Sequence, residues 1–443
     1  MRLSIPALLL LTACGDKDTD TGIDSGAPTY WQDVAPIYAA RCTSCHQDGS
    51  LAPMPLDDYA AAKTWADASA AATAARTMPP WGVEGASVLD GGEAIADTPD
   101  PGSCDNEYVA SMWLTDEEVE IISAWAEAGA PEGSPETVTS TPLPTIETHA
   151  TLSTPSFLPD SSEGSGGEYD EYRCFLIDPE LSEDAWLTGY EIEPGNDAIV
   201  HHVIGMPIDP DLLTSGGLSN AERIAALDGL DEREGWPCYS QAGDGVEVEG
   251  EYVAWAPGQG AVSFPEGSGL KLNVGDLWAI QIHYNMIQTE NETDTTVLRL
   301  QLADSVERPA QMVLLDLWER QTLSAGDPAA LVQWQMRQPN MADYLDFDRV
   351  VIEGVLPHMH ELGQQLTMEI VSDEDAVCVT GVRQWDFGWQ RQYFYEEPVE
   401  MVASEKLRVS CAFDLSGVDH DVSWGWGTQD EMCLVGLYVT EGD

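Results

Sequence analysis

Histidine is scarce in this chain, eight in 443 residues, and most stand where they could hold a metal. His201 and His202 are adjacent, His283 sits in an alternating segment, His358 and His360 flank Met359, and Met432 follows Asp430-Glu431. Residues two apart in a strand project from one face, so His358 and His360 form a natural chelating pair. In 277–287 (LWAIQIHYNMI), apolar Trp278, Ile280, Ile282, Tyr284 and Met286 alternate with Gln281, His283 and Asn285. His283 therefore faces away from the apolar side of its own strand. His201 and His202 would point to opposite faces of a regular strand, and joint use by one ion requires a bulge or a strand end there. Two groups of three follow: His201, His202 and His283, then His358, His360 and Met432. Neither contains a carboxylate, which disfavours non-haem iron and calcium, while imidazole with a soft thioether favours copper. Taken singly, each His is equally compatible with a structural role, and Met432 with a place in a core.

A second constellation is Cys42-Thr43-Ser44-Cys45-His46, the C-x-x-C-H pattern of covalent haem c attachment. Two thiols a helical turn apart suit addition to the haem vinyl groups, and the following His can reach the iron. A redox disulfide or a zinc pair is the competing reading, but no second Cys/His pair completes a zinc site. Tyr30-Trp31, Val34-Ala35 and Tyr38 lead in on one helical face, residues 58–76 are Ala-rich, and Thr115-Asp116-Glu117-Glu118 is a capping box before Val119, Ile122 and Trp125. Residues 29–135 resemble a small all-α cytochrome c domain. Met78, in Thr77-Met78-Pro79-Pro80-Trp81, resembles the distal Met-Pro loop of that family, with Met54 as the competitor.

The elements around these residues divide the chain. Residues 1–13 read as an export signal, and Leu11-Thr12-Ala13-Cys14-Gly15 resembles a bacterial lipobox in which Cys14 carries lipid. Ordinary secretion with cleavage elsewhere is the alternative. Residues 14–28 form an acidic tether, and the expected location is the cell envelope, periplasm or outer membrane, with the lipid as the sole membrane attachment. Residues 136–150 are a linker. Beyond them short β-like runs alternate with Gly, Pro and Asp turns, the rhythm of sandwiches, divided here into 151–306 and 307–443. With 18 basic against 78 acidic side chains, the formal net charge is −60, which repels phosphate backbones and excludes a nucleic-acid partner.

Residues 150–443 resemble the copper type II, ascorbate-dependent monooxygenases. The matching pieces are Tyr172-Arg173-Cys174, Ile199-Val200-His201-His202, Tyr252-Val253-Ala254-Trp255-Ala256-Pro257-Gly258, Ile282-His283-Tyr284, His358-Met359-His360-Glu361-Leu362-Gly363 and Asp430-Glu431-Met432-Cys433. The resemblance implies two antiparallel, jelly-roll-like sandwiches, each bearing one copper across a solvent cleft. His201, His202 and His283 would hold an electron-storing ion; His358, His360 and Met432 would hold the one that meets O2 and substrate. It also implies disulfides Cys174–Cys238 and Cys411–Cys433. Cys104 and Cys378 have no family partner; a bridge between the haem domain and the second sandwich is one option for them. His149 and His420 are expected at the surface.

The implied activity is hydroxylation of a C–H bond with O2, using electrons from ascorbate or a redox protein and relayed through haem c. In the peptide-amidating branch an Arg lies two positions before His-x-His and a Tyr four after the Met ligand. Here those positions hold Leu356 and Gly436, which argues against peptidylglycine and for a small apolar or aromatic substrate. The rival reading is a haem–copper electron carrier or copper-binding lipoprotein without oxygenase activity; a surface adhesion module is a third.

Overall fold

A computed structural model describes residues 26–442 except 48–51, 53, 84–103, 105, 140–142, 161–168, 231, 239–240, 287–290, 317–321, 342–348, 388 and 426–429. The export signal, Cys14 and most of the tether lie outside the described residues. A π-helical turn at Tyr30–Val34 leads into helices α1 (Ala35–Arg41), α2 (Tyr59–Thr64), α3 (Ala66–Ala74) and α4 (Asp116–Glu127). Ten strands follow, interrupted by α5 (Asn220–Asp228): β1 (Ala150–Ser153), β2 (Asp170–Ile177), β3 (Ala185–Glu193), β4 (Val200–Ile208), β5 (Trp236–Pro237), β6 (Val253–Trp255), β7 (Val262–Ser263), β8 (Ser268–Leu272), β9 (Leu277–Asn285) and β10 (Val297–Ala303). Ten more complete the chain around α6 (Gln338–Met341): β11 (Arg308–Leu315), β12 (Thr322–Leu323), β13 (Ala330–Arg337), β14 (Val350–His358), β15 (Gly363–Val371), β16 (Ala376–Val382), β17 (Tyr393–Met401), β18 (Lys406–Phe413), β19 (Val422–Ser423) and β20 (Leu434–Glu441).

Alternation builds the sandwiches. In β13 the side chains of Ala330, Val332, Trp334 and Met336 are buried in turn, while Gln333 and Gln335 face outward. The first sandwich has a five-stranded sheet, β5-β2-β9-β4-β6, and its core includes Phe175, Leu187, Tyr190, Val203, Trp278 and Ile282. The second has a four-stranded sheet, β13-β18-β15-β16, over a core including Val332, Ile352, Leu366, Val409 and Leu437. The opposite layer is shared. A nine-stranded sheet ordered β1-β10-β3-β8-β11-β20-β14-β17, with β7 on β3, crosses from one half to the other through the parallel β8–β11 pair.

The β-sandwiches fit the sequence reading, but the separate all-α cytochrome c-like domain expected over 29–135 is corrected. The described residues are mostly β-sheet, and the helices in that range are short, α4 being the longest at 12 residues. Local signals do work there: Thr115 Oγ1 accepts from Glu118 N while Glu118 Oε2 accepts from Thr115 N, closing the capping box. Tyr30, Tyr38, Leu114, Ile122 and Trp125 form a small cluster of their own. What the helical reading missed is where the apolar residues between α3 and α4 go. Trp81, Val83 and Tyr108 are buried in the second sandwich's core. Val83 bridges Val382, Tyr108 bridges Tyr395, and Cys104 forms a disulfide with Cys378 on β16. Pro79, Pro80 and Gly82 break helical periodicity, and a few short helices bury too little apolar surface to stand alone.

Replacing both Cys104 and Cys378 by Ser should therefore lower stability by about 2–5 kcal/mol. Denaturant unfolding measures that loss, and limited proteolysis should show faster cleavage between α3 and α4; an unchanged midpoint and cleavage pattern would remove the clamp.

Candidate metal centres

The first cluster rests on a register shift. Val200 on β4 pairs with Tyr284 on β9, His202 pairs with His283, and Val203 pairs with Ile282, so His201 is the extra residue of a β-bulge. The bulge turns His201 and His202 to the same side as His283, while Val203 and Ile282 return to the core. Of the two arrangements open to the adjacent pair, a bulge or a strand end, the bulge is present. His201 Nδ1 lies 3.1 Å and His202 Nδ1 3.3 Å from His283 Nδ1. The three residues' ligand atoms lie within 4.8 Å of one another, as a single metal ion needs.

Supporting groups select the nitrogen that faces the ion. Asp170 Oδ1 is 2.9 Å from His283 Nε2 and also accepts from Asn285 Nδ2 at 2.8 Å. A carboxylate can only accept, so Nε2 carries the proton and the Nδ1 lone pair points at the other two imidazoles. Burial tends to raise the Asp170 carboxyl, but its hydrogen bonds with His283 and Asn285 hold it below the usual range. The Tyr172 ring stacks on His283 with centroids 4.1 Å apart and planes 6° from parallel. Burial, reinforced by His283, lowers His201 to about 4. Burial also pushes His202 well below its ordinary value. Both are therefore neutral, with lone pairs available, near pH 7.

The second cluster sits where β14 runs out. His358 ends the strand, Met359 is buried in the second core, and alternation leaves His360 beside His358, ring centroids 5.2 Å apart. His358 Nδ1 is 2.6 Å from Gln390 Oε1, whose amide is oriented by Gln390 Nε2 donating to Phe387 O at 2.8 Å. His360 Nδ1 is 3.0 Å from Asp430 O. Both partners are carbonyl oxygens, so each Nδ1 bears the proton and each Nε2 the lone pair. Burial, reinforced by His360, lowers His358 to about 3. Met432 is buried beside them, next to the Cys411–Cys433 disulfide. Buried Glu431 organises the loop: its oxygens accept from His360 N at 3.0 Å, Leu362 N at 2.6 Å and Met432 N at 3.2 Å. Burial raises its carboxyl to about 7.

One cavity is reached by His202 of the first cluster and by all three residues of the second. His202 and Tyr172 line one side, and His358, His360 and Met432 line the other. Leu314, Leu356, Leu434 and Phe387 give it an apolar wall, and Gln241, Glu251 and Gln281 also line it. Gly436 backs that apolar wall: an added Cβ would meet Leu314 Cδ2 at 3.0 Å and Leu356 Cβ at 3.1 Å.

The C-x-x-C-H segment continues α1 for a turn, Cys45 N and His46 N both donating to Cys42 O. Cys42 and Cys45 are not disulfide-bonded. Burial pushes the Cys42 thiol up to about 12 and raises Cys45. His46 Nδ1 is 3.1 Å from Met54 O, which leaves the lone pair on Nε2. A cavity of about 450 Å³ adjoins the motif, lined by Cys42, Cys45, His46, Met54, Met78 and Met112 among others. Met54 and Met78 both reach it, so the two candidates for a distal ligand stay level, and Met112 adds a third thioether that the sequence reading overlooked. The expected disulfide Cys174–Cys238 is formed. His149 and His420 are exposed, beside Glu147 and Asp419. Asp170, Gln390 and Glu431 were also overlooked. Asp170 lies two residues before Tyr172 on the strand that pairs with β9, which is a signal only once that pairing is known.

Residues 335–440, which include His358, His360 and Met432, match the family model described as copper type II ascorbate-dependent monooxygenase, C-terminal domain. Among solved structures, the chain is similar at 9% identity to the infectious bursal disease virus VP2 subviral particle, with a TM-score of 0.16 over 68% of this chain and 74% of that one. It is similar at 10% identity to T=1 particles derived from infectious bursal virus, with a TM-score of 0.15 over 68% and 72%. Scores that low carry no argument about fold or function.

Two substitutions test the supporting groups. Asp170→Asn should weaken copper binding at the first cluster about 10–100-fold, read by competition with a chelator, with the fold intact by circular dichroism. Glu431→Ala removes the shared acceptor of three backbone N–H groups and should cost about 3 kcal/mol in denaturant unfolding.

Proposed function

We propose that this chain is a copper-dependent monooxygenase that hydroxylates a C–H bond of a small, largely apolar or aromatic molecule. The observation that carries the reading is that His202 of one three-ligand cluster and all three ligands of the other, which falls inside the matched 335–440 stretch, line a single cavity. The overall reaction is R–H + O2 + 2 e⁻ + 2 H⁺ → R–OH + H2O, with ascorbate or a redox protein as the electron source. One copper would be held by His201, His202 and His283, the other by His358, His360 and Met432. Bound there, copper supplies one-electron redox chemistry and O2 activation.

The remaining work falls to the chain. Asp170 and Tyr172 hold His283 by a hydrogen bond and a stacked ring. Gln390 and the Asp430 carbonyl fix the tautomers of His358 and His360, and Glu431 ties the His360 and Met432 loops together. Leu356 and Phe387 give the substrate an apolar wall, and the room a tyrosine would need at 436 is taken by Leu314 and Leu356. These features favour an apolar group over a peptide carboxylate.

A haem c in the C-x-x-C-H cavity would be attached through Cys42 and Cys45 and held by His46 and by Met78 or Met54, all of which line it. Its wall is largely apolar, yet Arg41 Nε and Trp389 Nε1 are buried at residues on it without a hydrogen-bond partner. Acceptors such as porphyrin propionates would satisfy such donors. Haem bound there supplies a one-electron relay. Lipidation at Cys14 would tether the enzyme in the bacterial cell envelope.

Met432→Ile should abolish O2 uptake coupled to product formation while one copper per chain remains, both read on purified protein by an oxygen electrode and metal analysis. Normal turnover in that variant would overturn the ligand assignment. Two bound coppers with no O2 consumption under any reductant would leave an electron-carrying copper protein in its place.

A further inference from the structure

The cavity beside Cys42-Thr43-Ser44-Cys45-His46 is not closed by the helical segment alone. His201 of the first cluster and Trp389 of the second sandwich complete its wall. His201 is thus a residue of two sites: it borders this cavity, and its Nδ1 lies 3.1 Å from His283 Nδ1 in the metal cluster. The contact is close at the attachment cysteine as well. Gly258 follows β6, whose Val253 and Trp255 pair with Gly205 and Val203 of β4, the strand carrying His202. A Cβ placed on Gly258 would come within 2.4 Å of Cys45 Sγ, and its φ of +80° independently calls for glycine. Trp255 Nε1 donates to Gln259 O at 2.9 Å and holds that turn in place. None of His358, His360 and Met432 lines this cavity.

We infer that the His201–His202–His283 cluster is the entry point for electrons, with His201 and the Cys45–Gly258 contact forming the junction between the haem cavity and the first metal site. The inference rests on the haem and copper reading above. The step balances simply: one electron leaves iron(II) and reduces copper(II), giving iron(III) and copper(I), and no bond forms or breaks. A second turn of the same step, fed by the external reductant, supplies the second electron that hydroxylation needs. A haem attached through Cys45 would therefore meet the first sandwich at Gly258.

The test uses the full chain carrying haem and copper. In H358A/H360A only the first cluster is complete. Anaerobic stopped-flow mixing with less than one equivalent of ruthenium(II) hexaammine should then show the haem reduced and reoxidised within threefold of the wild-type rate. In H201A/H283A the reoxidation phase should slow at least 100-fold. A measurement that needs no turnover accompanies it. Oxidised haem should raise the microwave power that half-saturates the copper(II) resonance of H358A/H360A at least tenfold over the same variant carrying C42S/C45S. The copper(II) signal of H201A/H283A should change less than twofold on the same comparison. Fast reoxidation retained in H201A/H283A and lost in H358A/H360A, or relaxation enhancement confined to the second copper, would overturn the inference and leave the haem reading standing. A purified wild-type protein without the absorption of a thioether-linked haem would overturn both.

Discussion

The parallel pairing of β8 with β11 is the constraint on which the site depends. Two sandwiches joined by a loop would pivot, and clusters on different sheets would drift apart. Here Arg308, Pro309 and Ala310 pair with Ser268, Gly269 and Leu270, so one sheet serves as the back layer of both halves. Gly269 belongs to that seam, because a Cβ there would meet Leu187 O at 2.9 Å. The seam is filled from both sides: Ala310, Met312, Leu356, Phe394 and Tyr438, from strands of the second half, are buried in the first half's core. Ser268 Oγ and Tyr438 Oη are 2.9 Å apart across it. Since close-packed interiors transmit displacement rather than absorb it, the spacing between the clusters is set by the sheet.

On that frame the two clusters are anchored through opposite imidazole nitrogens. At the first, the Asp170 carboxylate accepts a hydrogen bond from His283 Nε2 and Nδ1 faces inward. At the second, Gln390 Oε1 and the Asp430 carbonyl accept hydrogen bonds from Nδ1 of His358 and His360. Nδ1 is the nitrogen nearer the main chain, so an ion bound through it lies close to its strands. An ion bound through Nε2 stands further out, toward the cavity. The chemical division of labour in the proposed reaction has this geometric counterpart: a site sunk in the sheet suits electron storage, and a site projected into a cavity suits contact with a substrate. Among the described acidic residues, half-buried Asp170 and buried Glu431 bear on these centres. They do so by positioning ligands.

Much of this was legible in the sequence because strands impose a period of two. The alternation in 277–287 and in His358-Met359-His360 assigns faces with no tertiary knowledge, and joint use of the adjacent His201 and His202 by one ion calls for a bulge or a strand end. Cys174–Cys238 and Cys411–Cys433 came only through resemblance, since spacing does not determine pairing. The supporting residues were not legible. Asp170 reaches His283 through the β2–β9 ladder, and Gln390 lies 32 positions from the histidine it orients, so neither leaves a local pattern. The all-α reading of 29–135 failed for a related reason. Periodicity and caps report helices, which exist, but they cannot report that Trp81, Val83 and Tyr108 are buried against β-strands about 300 residues downstream.

That failure explains the shape of the cavity beside the cysteine pair. A self-contained helical domain would close its own pocket and meet the rest of the chain through a polar surface. The short helices here cannot enclose one, and the segment after α3 is drawn onto the second sandwich by Trp81, which packs edge-on against Tyr393 at 5.0 Å, and by Gly82 N donating to Tyr393 Oη. The open side of the helical cluster is thereby pressed against the sandwiches, and residues of both complete its wall. A molecule bound in such a cavity would be covered in part by the sandwiches and would lie beside His201. The surface the short helices leave uncovered is thus the surface that His201 and Trp389 close.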